Sequence, residues 1–198
     1  LNNENHGVWL STIHSLCVRV LREEASAINY PRNFTIVDSD DQKSILKEAY
    51  KLYNLDVKLY SYNSVLSYIA NNKYAGIDPK MALSKAGQFM GEKNKALVYE
   101  FYQQRLAQLF AFDFDDLILQ TLKIFQLHPQ VEAKWQGKFD HIMVDEFQDV
   151  DHAEYELVRR LVGHDNSLTV VGDPDQTIYT WRGADVNIIL DFAKDYPS

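Results

Sequence analysis

Two short polar stretches near the end of the chain hold residues able to do chemistry. Asp145-Glu146-Phe147-Gln148-Asp149 follows the apolar run Ile142-Met143-Val144, and Gly172-Asp173-Pro174-Asp175-Gln176 follows Leu168-Thr169-Val170-Val171. A carboxylate directly after a buried strand is how many nucleotide hydrolases hold magnesium, a hard cation that prefers oxygen ligands and keeps several waters. Asp145 suits that role, and Glu146, one residue on, can accept a proton from an attacking water. The same pentapeptide also reads as a solvated turn ahead of a helix, because acidic residues favour helix N-termini. The clean apolar strand in front of it favours the chemical reading. The second stretch continues to Ala184 and adds the amide of Gln176, the aromatics Tyr179 and Trp181, and the guanidinium of Arg182. Aromatic faces stack bases whatever their sequence, worth about 1–3 kcal/mol per base. A guanidinium pairs with phosphate or carboxylate. Tyr179 and Trp181 can also be read as core residues, but a spacing of two beside Arg and Gly in a loop argues for the stacking role.

Positioning such residues requires a scaffold. The two apolar runs are continuous rather than alternating and are separated by a helix over Ala153–Val162. A further helix is expected from about Asp185 to Asp195. Strand–helix–strand–helix order with such strands marks a parallel sheet covered on both faces, with ligands beyond the strands' carboxyl ends. Val8–Ile13 reads as another buried strand, followed by a helix over His14–Ala27, and Phe34–Val37 as a brief extended piece. Amphipathic helices fill the middle: one capped by Asp38 or Ser39, then Ser61–Asn72, one opening at Asp78-Pro79, and Glu92–Ala111 with Leu97, Phe101, Leu109 and Phe110 inward. Asp113–Gln126 is the next, ended by His128-Pro129. The expected fold class is α/β, with an all-helical block interrupting the sheet.

The chain has 198 residues, 46% hydrophobic and 24% charged, with 8 Gly and 5 Pro. That composition fits a globular protein and excludes collagen-like and low-complexity classes. No apolar run is long enough to span a bilayer, and the first residues lack the pattern of a signal peptide. The single cysteine, Cys17, allows no intramolecular disulfide and no cysteine-based zinc site, which points to a reducing, cytoplasmic setting. The net charge is −8, and residues 137–198 carry 13 Asp/Glu against five Lys/Arg, so the acidic excess lies in the last third. This argues against a general nucleic-acid sponge and leaves room for a local site or a metal.

Val144–Asp149 and Gly172–Asp185 resemble motifs II and III of the UvrD/Rep/PcrA helicases of superfamily 1. Ser11–Ser15 with the helix Cys17–Arg22 resembles motif Ib. Asp113–Leu117 matches a signature preceding motif II, and Asn187–Leu190 with Asp195-Tyr196-Pro197 resembles the continuation. The resemblance implies a partial RecA-like motor domain (P-loop NTPase type) over 1–36 and 112–198, and a helical insertion over 37–111. It implies ATP and Mg²⁺ as cofactors. Asp145 would hold the magnesium and Glu146 would activate the lytic water. Gln176 would sense the γ-phosphate, with Gln148 and Arg182 sharing in the coupling. Single-stranded DNA would be contacted by Thr12, His14 and Ser15 along its backbone and by stacking on Tyr179 and Trp181; for His14 a ligand-free place at a helix start is the alternative.

The implied parent is an ATP-dependent helicase that translocates 3′-to-5′ and unwinds duplex junctions in repair or replication, with protein partners of those processes and no membrane. The sequence departs from the family pattern at Ile13, Asp151, Pro174 and Thr177, none of which removes an assigned chemical group. No GxxxxGK[ST] loop occurs in the chain. The expectation is therefore a fragment that does not hydrolyse ATP alone. A helicase–nuclease subunit of RecB/AddA type and a non-catalytic binding relative are the competing readings.

Overall fold

The computed structural model describes residues 7–176 together with Asn187, Ile188 and Phe192. Most helices open on a capping side chain. Thr12 caps α1 (Ile13–Glu23), Asp38 caps α2 (Ser39–Tyr53), Ser61 caps α3 (Tyr62–Tyr74) and Asp78 caps α4 (Pro79–Ala86). The long α5 (Met90–Gln108) has no side-chain cap. Asp113 and Asp151 close reciprocal capping boxes at α6 (Phe114–Leu127) and α8 (His152–Leu161), each bonding the third helical residue's N–H and receiving its carboxylate in return. Between them lies α7 (Pro129–Gln136).

Among the described residues, four short strands form two parallel pairs. β1 (Thr35–Ile36) lies beside β2 (Ala111–Phe112), with Thr35 opposite Ala111. β3 (His141–Val144) lies beside β4 (Ser167–Val170), with Val144 opposite Val170. Helices α2 to α5 leave after β1 and return before β2, and they share one apolar core built on Leu46, Ala49, Val65, Ile69, Val98 and Tyr102. A second core joins α1, α6, α7 and α8 through Leu21, Leu117, Ile124, Phe125, Trp135 and Leu157. A third, small cluster of Phe147, Val150, Tyr155 and Ile188 lies against Val144 and Val170. The architecture is thus mostly helical with small parallel sheets. No helix among the described residues is long and apolar enough to cross a membrane.

Several expectations are corrected. Val8–Ile13 forms no strand: Val8 is 67% and Leu10 82% exposed, and Thr12 begins α1 instead. The β-prone composition is overridden because the cap supplies a helix start at Ile13 and Trp9 is held against Trp135 and Phe139 and beneath Arg19. α1 ends at Glu23, and a 3₁₀ turn carries Ala25–Ile28. α5 stops at Gln108; Phe110 adopts a left-handed φ of 46° to turn the chain into β2, which leaves Leu109 and Phe110 exposed rather than inward. Pro129 starts a helix as well as ending one, since its missing N–H costs nothing at the first helical position. β3 is not covered on both faces among the described residues, because Met143 is 69% exposed. The helix expected from about Asp185 falls, apart from Asn187, Ile188 and Phe192, outside the described residues.

Candidate functional site

Parallel pairing in register brings the ends of β3 and β4 to one edge. The Val171 N–H donates to the Val144 carbonyl at 2.8 Å, and the Phe147 N–H donates to the Val171 carbonyl at 2.9 Å. Asp145-Glu146 therefore leave the sheet beside Gly172-Asp173. Glu146 takes a left-handed φ of 52°, a conformation a non-glycine residue adopts at a cost of about 1–3 kcal/mol. The Asp145 carboxylate accepts the Glu146 N–H at 2.9 Å and steadies this turn. Phe147 follows, fully buried with its ring edge-on to Tyr155 and Phe192, and anchors the 3₁₀ turn Phe147–Asp149. Apolar anchoring of Phe147 offsets the strain and leaves Asp145 and Glu146 exposed at the rim.

A continuous hydrogen-bond chain links the two polar stretches. Gln148 is 1% exposed. Its Nε2 donates to Glu146 Oε2 at 2.6 Å, and its Oε1 accepts the Asp173 N–H at 3.0 Å. The Asp173 carboxylate then accepts Gln176 Nε2 at 2.7 Å through one oxygen and the Asp175 N–H at 3.0 Å through the other. The structure thus brings Glu146, Gln148 and Gln176 together. It adds Asp173, which sequence reasoning missed; the signal was there in Gly-Asp-Pro-Asp, where an Asp side chain tends to bond the backbone two residues on.

The donor set fits a hard cation. Asp145 offers an exposed carboxylate at a strand end, and a carboxylate oxygen of Asp149 is buried with no hydrogen-bond partner among the described residues. No group of three or more His, Cys, Asp or Glu able to cage a metal occurs among the described residues.

Thr12, His14 and Ser15 sit together at the start of α1. Thr12 Oγ1 accepts the Ser15 N–H at 3.2 Å and donates to the Ser15 hydroxyl at 2.9 Å. His14 lies half-buried, its Nδ1 3.9 Å from Glu154 in the first turn of α8 and its ring edge-on to Phe114 at 5.5 Å. Burial pushes the His14 pKa down, against a smaller upward pull from Asp151. α8 begins three residues after Asp149, so His14 borders the segment that follows the acidic stretch.

The sequence reading did not single out Phe114, whose ring meets His14 edge-on. It is 48% exposed at the first position of α6, and Tyr74, also exposed, donates its hydroxyl to Asp115 at 3.1 Å. Periodicity concealed it, because Phe114 continues the apolar stripe of Leu117 and Ile118 yet lies one turn beyond the core those residues fill. Tyr179, Trp181 and Arg182 lie outside the described residues.

The family model for the UvrD/REP helicase N-terminal domain matches residues 1–197. The chain is 43% identical over 197 residues to the ATP-dependent DNA helicase PcrA of Staphylococcus epidermidis, covering 100% of this chain and 27% of that protein. It is 45% identical over 190 residues to the ATP-dependent DNA helicase PcrA of Staphylococcus aureus, covering 96% of this chain and 26% of that protein. It spans about a quarter of the length of these relatives. A match over almost every residue, with the two polar stretches of motifs II and III meeting at one sheet edge, places the chain in the UvrD/REP helicase N-terminal domain family.

Proposed function

We propose that this chain is part of an ATP-driven DNA helicase and carries the half-site where nucleotide hydrolysis is coupled to grip on single-stranded DNA. The β3–β4 sheet and its flanking helices, within 1–36 and 112–198, form part of a RecA-like motor domain, and 37–111 form a helical insertion. Bound magnesium would neutralise phosphate charge. Asp145 would hold that ion, and Glu146 would orient the attacking water and take its proton. Gln176 reads the γ-phosphate. Gln148, buried between Glu146 and Asp173, holds the base and the reader in one relay and does not itself reach solvent. Arg182 passes the state of the relay towards the DNA, and Tyr179 and Trp181 stack bases. Thr12, His14 and Ser15 lie along the strand backbone, with Phe114 as an additional exposed face for a base. The parent's substrate is single-stranded DNA at duplex junctions, traversed 3′-to-5′ by family resemblance, in repair or replication alongside partners of those processes.

The observation that carries this reading is the unbroken chain of hydrogen bonds from Glu146 through Gln148 and Asp173 to Gln176. Replacing Glu146 by Gln in the full-length protein tests it. ATP binding is expected to persist while turnover falls at least a hundredfold, about 2.7 kcal/mol of barrier. Normal turnover in E146Q rules the assignment out.

A further inference from the structure

The helices between β1 and β2 grip the start of α6 through a buried ionic cluster. Lys73, near the end of α3, places its ammonium 2.7 Å from Asp113 and 2.8 Å from Asp116, and all three side chains are buried. Asp113 accepts at both oxygens. One caps α6 through the Asp116 N–H at 2.9 Å, and the other receives Lys73 and the Tyr102 hydroxyl at 2.8 Å. Gln42 on α2 in turn donates to the Tyr102 oxygen at 2.9 Å. The next residue of α3, Tyr74, holds Asp115 at 3.1 Å. The three acids that flank Phe114 are therefore all held by Lys73 and Tyr74.

Stability alone is a poor reason for such a cluster. Burying charges costs desolvation energy, and apolar replacements of the same volume are often as stable. Separating or removing a member of such a cluster strands an uncompensated charge, so arrangements that pull its members apart are disfavoured. Burial first, and the nearby Asp113 charge, hold the Asp116 carboxyl above its ordinary range, while Lys73 and its hydrogen bonds hold Asp113 below. One cation thus serves two acids unequally and favours a single geometry at the α6 cap.

We propose that Lys73, Asp113 and Asp116 are positioning residues through which the helical group α2–α5 sets the orientation of Phe114 on the single-strand path. The proposal rests on the reading of Phe114 as a base-stacking face. A displacement of the helical group moves the cap and Phe114 with it, so the insertion acts on DNA grip without touching the nucleotide.

The test is a double-mutant cycle in the full-length protein, read as affinity for oligo(dT). Phe114→Ala is expected to weaken binding about tenfold, within the range for one stacked base. The pair K73M/D116N removes the cation and one of its two acids together and retains the Asp113 cap. In that background, Phe114→Ala is expected to cost less than threefold, with DNA-free ATP turnover unchanged within twofold. A role confined to folding lowers the melting temperature and leaves the Phe114→Ala cost at tenfold, and that result overturns the proposal. A Phe114→Ala variant that binds as tightly as wild type removes the stacking reading, and the proposal with it. Should K73M/D116N not fold, Tyr102→Phe deletes one hydroxyl and keeps the ring. It is expected to reduce the Phe114→Ala cost at least twofold, and an unreduced cost there overturns the proposal independently.

Discussion

Gln148→Leu isolates the relay from the chemistry at its ends. Gln148 touches neither solvent nor, in the proposed mechanism, the nucleotide, yet it bonds the base on one side and the loop of Asp173 on the other. Leucine fills a similar volume and makes neither bond. The bond to the Glu146 carboxylate, at 2.6 Å, is charge-assisted and belongs to the class worth about 1.5–3 kcal/mol. Glu146 is exposed, so water recovers its solvation once that bond is lost. What is lost is orientation of the base, and about 1.5–3 kcal/mol on the barrier lowers kcat about 10- to 150-fold. KM for ATP should change little, because the lost contacts lie behind the base. The assay is steady-state ATPase of full-length protein with saturating single-stranded DNA, alongside a melt to show cooperative unfolding. Gln148→Glu is the companion: it sets a second carboxylate beside Glu146 and should fall at least as far. A kcat within threefold of wild type in folded Q148L would refute the relay.

Two further outcomes are expected. Thr12→Ala removes the α1 cap and should cost about 0.5–2 kcal/mol in denaturant unfolding; no loss would mean that α1 starts elsewhere. His14 is held below its ordinary pKa of 6.5 by burial, so the unfolded chain binds its proton more readily. The stability tied to the neutral ring is then present above pH 6.5 and is lost as pH falls below it. Asp116, raised by burial, acts in the opposite sense but is common to wild type and variant, so it cancels in the difference. Between pH 7 and pH 5, wild type should lose stability faster than His14→Asn, and a slope of the opposite sign would contradict the burial argument.

Helix starts were the most legible part of the fold, because Asp38, Ser61, Asp78 and Asp113 state the capping chemistry within a few residues of each start. The parallel pairing of β3 with β4 could likewise be read from two apolar runs separated by a helix. Val8–Ile13 could not, because whether a short β-prone run pairs depends on partners distant in sequence. At the site, the acids and Gln176 announce themselves by type, and the structure puts Glu146, Gln148 and Gln176 on one relay. Asp173 and Phe114 escaped notice for different reasons: one acts through a bond across the sheet edge, the other hides within a helical stripe. The Lys73 cluster was the least legible, since no local pattern marks a lone lysine at the end of α3 as the partner of two acids that follow β2.

The two stems β1 and β2 lie side by side, so the chain departs into and returns from residues 37–110 at neighbouring points of the sheet. A module attached in this way leaves the path of the flanking strands independent of its own size and shape. The attachment carries one chemical obligation. Whatever replaces these helices must satisfy the acids at the start of α6, because Lys73 now holds both Asp113 and Asp116 there.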